Sequence, residues 1–187
     1  MGNQKINFQL NLCTSKDKFR DNLSMIHVTK KHVFATDSHM LVHIPTSFMF
    51  DNDTINNDNW FDFYIDANQY KLLLNSTAKA SVNFDAKIIT SIKSTGVFNV
   101  SILPADSLKF PNCKVLINLS DDNLKDKNTM HINLDLLTKA NKALNIQKDK
   151  GATIKVKNNN HYYIFSKEYK TLSYDIPFAL VMGMVSY

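Results

Sequence analysis

Glycine is scarce in this chain, with 4 among 187 residues. A loop that wraps its backbone around phosphate needs several glycines, and neither GxxxxGK[ST] nor GxGxxG occurs. A nucleotide-hydrolysing enzyme is therefore disfavoured, and the Gly-x-Ser-x-Gly elbow of many hydrolases is missing as well. Cysteine is nearly as rare. Cys13 and Cys113 lie far apart with no CxxC spacing, so neither a disulfide framework nor a zinc site is implied, and a reducing, cytoplasmic setting fits. No apolar run approaches the roughly 20 residues that span a bilayer. The opening "MGNQKINFQLNL" alternates polar and apolar residues instead of forming a signal-peptide core, so neither secretion nor a membrane partner is expected. Neither sign of charge dominates: 22 basic against 17 acidic residues give a net +5, spread along the chain. That balance leans towards a polyanionic partner.

Hydrophobic residues make up 44% of the chain, enough for a good-sized core. Their pattern repeats. "INFQLNL" alternates like a half-buried strand, and "TSKDKFRDNLSM" has helical spacing, with Phe19 and Leu23 four apart and Thr14 or Ser15 as cap. "MIHV", "HVFAT" and "MLVHI" follow as strands separated by turns. After the polar loop "DNDTINNDN" the order begins again: "FDFYI", a helix in "DANQYKLLLNST", then "SVNF", "KIITSIK" and "VFNVSIL". A third round runs "MHINL", the helix "LDLLTKANKAL", "ATIKV", "HYYIFSK" and "PFALVMGMV". The third helix has Leu136, Leu137, Ala140, Ala143 and Leu144 on one side and Lys139 and Lys142 on the other, so its apolar face should lie on a sheet.

Residues that could carry chemistry are few. "TDSH", residues 36–39, places Asp, Ser and His consecutively, where their side chains diverge around a turn instead of relaying a proton. His39 and His43 are four apart, but in a strand pattern and without the HExxH glutamate. "DNDTINNDN" has Ile55 where a calcium loop needs oxygen and lacks the turn glycine. No nucleophile with its base, no ligand set and no cofactor loop emerges, so no enzyme and no cofactor is expected.

"HVFATDSHMLVHI" resembles the "ATDGHRL" signature in the middle domain of bacterial DNA sliding clamps, the beta subunit of DNA polymerase III, with Ser38 in place of the usual glycine. "FYIDANQYKLLL", "LKFPNCKVLI" and the terminal "ALVMGMVSY" match that family's later motifs in order. The resemblance implies an α+β, DNA-clamp-like fold of three repeated β-α-β-β-β units, with antiparallel sheets outside and helices on one face. Residues 1–118 would be a clamp-like domain of two units, 119–129 a linker, and 130–187 a C-terminal half-domain. The chain would thus be a shortened clamp.

In such a fold the helices face duplex DNA, which assigns Lys16, Lys18, Arg20, Lys71, Lys139 and Lys142 to phosphate contacts. The family's pocket for short linear motifs of DNA polymerase and other replication proteins maps onto Thr36, His39, Leu41, Pro111, Val115, Val181, Met182 and Met184. Methionine suits such a pocket, because its flexible thioether repacks around different anchors. Gly183 and Met40 depart from the family, which has proline and a basic residue there. A homo-oligomer is implied, and a ring of twelve units at three per chain would need four chains. The expected function is that of a non-enzymatic processivity factor for DNA replication or repair, of phage or mobile-element origin given its size. The alternative is a clamp-like peptide-binding module that never encircles DNA.

Overall fold

The hairpin expected around residues 32–44 forms from β2 (His32–Thr36) and β3 (Met40–Pro45), preceded by β1 (Met25–Val28). Thr29 sets the first turn: its Oγ1 accepts the His32 N–H at 3.0 Å while its own N–H donates to the His32 carbonyl at 2.8 Å. A computed structural model of the chain describes residues 6–17, 19–117, 132–146, 151–157 and 161–182. The remaining strands are β4 (Phe63–Asp66), β5 (Ser81–Asn83), β6 (Ile88–Lys93), β7 (Gly96–Ser101), β8 (Leu103–Pro104), β9 (Ala152–Lys157), β10 (His161–Ser166) and β11 (Phe178–Met182). Helical segments are α1 (Asn52–Ile55), α2 (Ala67–Tyr70), α3 (Cys113–Leu116) and α4 (Leu134–Ala143).

The strands make one eight-stranded sheet, β8-β4-β1-β2-β3-β11-β10-β9, and one three-stranded sheet, β5-β6-β7, antiparallel throughout. Strands from the first and third repeats meet at β3 and β11, where Leu41 lies opposite Leu180 and Met40 opposite Val181. Alternation along each strand then assigns two faces. The inner face carries Ile26, Val33, Ala35, Met40, Val42, Ile164, Ala179 and Val181, packed with Ala140 and Ala143 of α4. The outer face carries Phe34, Leu41, Tyr163, Phe165, Phe178 and Leu180, packed with Cys113, Ile117 and Ile176. Coverage on both sides explains why β3 is buried at every position and reads as an unbroken apolar run.

Helix α4 forms as its spacing requires. The Asn133 side chain accepts the Asp135 and Leu136 N–H groups, and Ala140 and Ala143 are fully buried. Two expected elements do not form. Residues 6–12 are not a strand, because their backbone groups are used elsewhere: Ile6 N–H donates to Ser76 Oγ at 3.1 Å and Gln9 N–H to the Ala143 carbonyl at 3.0 Å. A 3-10 turn over Leu10–Cys13 instead buries both end residues in the core. The helix expected over 14–25 is a loop followed by a 3-10 turn at Asp21–Leu23. Here Ser15 Oγ accepts the Asp17 N–H and Asp17 Oδ1 accepts the Phe19 N–H, so short polar side chains take the bonds a helix would use. In "MHINL", residues 130–131 lie outside the described residues and Leu134 begins α4. The second helix is shorter than its pattern, since α2 gives way to turns that reach Asn75 at φ 60°.

Candidate functional site

The "TDSH" segment is a tight turn locked by its own side chains. Asp37 Oδ1 accepts the N–H groups of His39 at 3.0 Å and Met40 at 2.9 Å. Thr36 Oγ1 donates to the Met40 carbonyl at 2.8 Å and accepts the Ser38 N–H at 3.2 Å. Ser38 sits at φ 74°, a left-handed conformation that costs an L-residue about 1–2 kcal/mol and suits the glycine usual in the clamp signature. The other Asp37 oxygen, Oδ2, lies 3.7 Å from Lys139 Nζ, and Arg20 Nη1 donates to Ser38 Oγ at 3.1 Å. The Asp37 carboxylate is thus committed to the turn and to α4. His39 is exposed, and its carbonyl accepts the Met182 N–H at 3.0 Å, tying the turn to the end of β11.

Beside this turn, Leu41 and Leu180 form the floor of the outer face, and α3 lies over them. Cys113 and Ile117 point down into that cluster, whereas Val115 and Leu116 are left 75% and 45% exposed. Met182 is two residues beyond Leu180, on the same face, and is 44% exposed. A second segment, residues 169–176, crosses the same face: Tyr169, Leu172 and Tyr174 pack on the cluster, and Tyr174 OH donates to the Ile117 carbonyl at 3.1 Å.

Several residues assigned to the peptide pocket therefore meet on this face. Leu41 is its buried floor, half-buried Pro111 and exposed Val115 belong to the 110–117 segment, and His39 and Met182 stand at the end of the β3 and β11 pair. Thr36 is buried, with its hydroxyl used inside the turn. Val181 is a correction: it is fully buried on the inner face opposite Met40, out of reach of any ligand on the outer one. Met184 lies outside the described residues.

The assigned cations differ in exposure and in what holds them. Lys16, Arg20, Lys71 and Lys142 are exposed. Lys71 Nζ donates to Asn68 Oδ1 at 3.1 Å, and Arg20 Nε lies 3.6 Å from Asp17 Oδ2. Lys139 is half exposed but paired with Asp37. Lys142 lies on a cleft of about 530 Å³ formed with Gln9, Leu137, Asn141 and Ile154. Lys18 lies outside the described residues.

A cluster that the sequence reading missed occupies the outer face beside this site. His32 Nδ1 and His43 Nε2 are 3.0 Å apart, with Phe34, Tyr174 and Phe178 around them. Burial holds His43 far below its ordinary value of 6.5, at about 3, with the neighbouring His32 ring adding to the effect and the Ile176 carbonyl opposing it. Burial likewise lowers His32, helped by Lys114 and Lys31 and opposed by Asp175. The signal lay in the hairpin register, which puts His32 and His43 on one face diagonally across the pair. Cys113 is inert as a nucleophile, its thiol pushed up to about 12 by burial. Among the described residues no three or more His, Cys, Asp or Glu side chains group as a metal site.

This architecture has close counterparts among solved structures. The DNA polymerase III beta chain of Streptococcus pneumoniae superposes with a TM-score of 0.59 over 95% of this chain and 62% of its own, at 13% identity. The DNA polymerase III subunit beta of Pseudomonas aeruginosa gives 0.59 over 93% and 61%, at 11% identity. The fold is that of a bacterial DNA sliding clamp. No protein-family model matches the sequence, and no curated protein matches it. The likeness lies in the fold, and this chain spans less than two thirds of the length of either counterpart. On the clamp fold, the signature turn, α3 and β11 converge where strands of the first and third repeats join.

Proposed function

We propose that this chain is a non-enzymatic, clamp-like accessory protein of DNA replication or repair, working in the cytoplasm. It oligomerises around duplex DNA and holds short linear segments of a polymerase or another replication protein on its outer face. The observation that carries this reading is the convergence of three distant segments, residues 36–41, 110–117 and 178–182, around a buried floor of Leu41 and Leu180 with Val115, Leu116 and Met182 exposed beside it. Such a site offers apolar anchor points without a catalytic group. The domain division fits the same reading, with residues 1–118 as two units and 130–187 as a third.

The sheet edges support assembly. Among the described residues, strand β9 ends the eight-stranded sheet and β7 ends the three-stranded one, each with one edge unpaired. Head-to-tail pairing of β7 with β9 of a second copy would extend the sheets and close a ring, with four chains of three units as the count. Of the cations, Lys142 is the best probe of DNA contact, because substitution of Lys139 would also release Asp37 from its ion pair.

The test combines the mass in solution by light scattering with retention on circular against linearised duplex DNA. A discrete oligomer that stays on circles and slides from linear ends, and is retained less when Lys142→Glu is introduced, supports the reading. A stable monomer at all concentrations overturns the encircling part. A second reading, the non-encircling peptide module, is favoured by the ion pairs that engage Arg20 and Lys139. It predicts a monomer that binds a labelled peptide from the end of the cognate polymerase and loses that binding with Met182→Glu.

A further inference from the structure

The histidine pair lies under the cover of the outer face and is joined to it. His43 is fully buried on β3, and its Nε2 lies 3.0 Å from Nδ1 of half-buried His32 on β2. The Tyr174 ring packs on both, with its centroid 5.4 Å from that of His32 and 5.6 Å from that of His43. Its hydroxyl then donates to the Ile117 carbonyl at the end of α3. A third histidine supports the other half of the cover: the His27 ring of β1 lies 5.1 Å from Phe110, at the start of the 110–117 segment. Both stretches that cover the outer face therefore rest on imidazole rings.

The contact between His32 and His43 has room for one proton. A neutral imidazole carries one N–H and one lone pair, so one ring donates and the other accepts. One added proton can be carried by the partly exposed His32, which then donates to His43. A second has to enter at His43, where it puts a charge in a site without exposed surface, facing a ring that is already cationic. The surroundings give little relief. Lys31, in the turn before β2, and Lys114 of α3 oppose charge on His32, and Asp175 of the 169–176 stretch favours it. Lys114 also opposes charge on His27, which Asp62 favours. Among the described residues, the other titratable groups packed on these rings and their cluster are Tyr64, Tyr163, Tyr169, Tyr174 and Cys113.

We propose that the His32–His43 pair latches the cover of the outer face, which stays closed while His43 is neutral and is opened by acid. In the open state His43 meets water and takes a proton near its ordinary 6.5, whereas burial under the closed cover holds it at about 3. The closed state binds fewer protons, so closure is fully favoured above pH 6.5 and is lost as pH falls towards 3. For that one proton, the ratio of closed to open molecules falls about 30-fold between pH 7.5 and pH 5. Burial lowers His32 as well, which acts in the same direction. Release of a captured segment as the cover opens rests on the peptide-site reading above; the opening itself does not.

Hydrogen exchange of the whole chain, read by mass spectrometry with no peptide or DNA present, tests the latch. After correction for the intrinsic pH dependence of exchange, amides of 169–176 and α3 should be less protected than those of α4 at every pH. They should also lose protection roughly 30-fold from pH 7.5 to pH 5. His43→Phe keeps a ring in the site and should flatten that dependence. Cover amides whose protection ignores pH in the wild type would overturn the proposal, as would a His43→Phe protein with the full wild-type dependence. Cover amides that exchange in step with α4 at each pH would also overturn it, because the cover then opens only when the whole fold does. Should His43→Phe not fold, the wild-type comparison of cover with α4 decides alone. Failure to capture a peptide at pH 7.5, where the latch is closed, would count against the peptide-site reading and leave the latch standing.

Discussion

The two faces of the eight-stranded sheet are built from different chemistry. The inner face is largely aliphatic and is covered by α4 and the Leu10–Cys13 turn, with Ile26, Val28, Val33, Val42, Ile44 and Ile164 fully buried. The outer face is rich in rings, with His27, His32, Phe34, His43, Tyr163, Phe165 and Phe178, and its cover is α3 and the irregular stretch 169–176. Aliphatic packing under a helix dominates the contacts of the inner face. The outer face stacks rings around a histidine pair whose His43 is buried, so its packing depends on a protonation state. It is also where the candidate peptide site lies.

The largest loss of stability should come from the inner face. Ile164→Ala removes three carbons from a fully buried site next to Ala179 and should cost about 3–4 kcal/mol, independent of pH, in urea denaturation. On the outer face the largest effect should come from acid. His43 is held neutral down to about pH 3, whereas in the unfolded chain it takes a proton near 6.5. Its contribution to stability is therefore full above pH 6.5 and is lost as pH falls towards 3. Between pH 7.5 and pH 5 this one group should account for about 2 kcal/mol of lost stability. The groups facing the pair are Tyr174 and the Ile176 carbonyl, with Lys31, Lys114 and Asp175 acting on His32. Denaturation of His43→Leu across the same range should show a shallower slope; an unchanged slope would place the acid sensitivity elsewhere. The smallest effect sharpens the difference in cover. Tyr174→Phe keeps the ring contacts but removes the donor to the Ile117 carbonyl, and should cost about 1 kcal/mol. Hydrogen exchange should then rise across 169–176 and α3 while the amides of α4 stay protected.

Much of the strand order was legible because strand signals are local. "MIHV", "HVFAT", "MLVHI", "KIITSIK", "ATIKV" and "HYYIFSK" all lie within strands to about one residue. Helix α4 was legible for the same reason, with its cap at Asn133 and its apolar stripe contiguous in the chain. The first repeat misled. Phe19 and Leu23 have helical spacing, yet Ser15 and Asp17 capture the amides between them and the ring points to solvent. At the candidate site, the motifs identified Leu41, Pro111 and Met182 as belonging together, but Val181 and Met182 differ in face, a distinction set by register with β3. The pairing of His32 with His43, and of Lys139 with Asp37, was hidden because each links residues that only the folded sheet and helix bring near.

The sequence by itself determined the absence of a phosphate-binding glycine loop, the hairpin turns, the third helix, and the repeated order that resembles the sliding clamps. These depend on residues within a few positions of one another, where sterics and side-chain bonding to the backbone decide. Only the tertiary structure decided that β11 joins β3, that the opening segment gives its backbone to Ser76 and Ala143 instead of a strand, and that Phe19 is left exposed. Those outcomes turn on long-range hydrogen bonds and on which sheet face a residue occupies, and both are fixed by pairing across the whole chain.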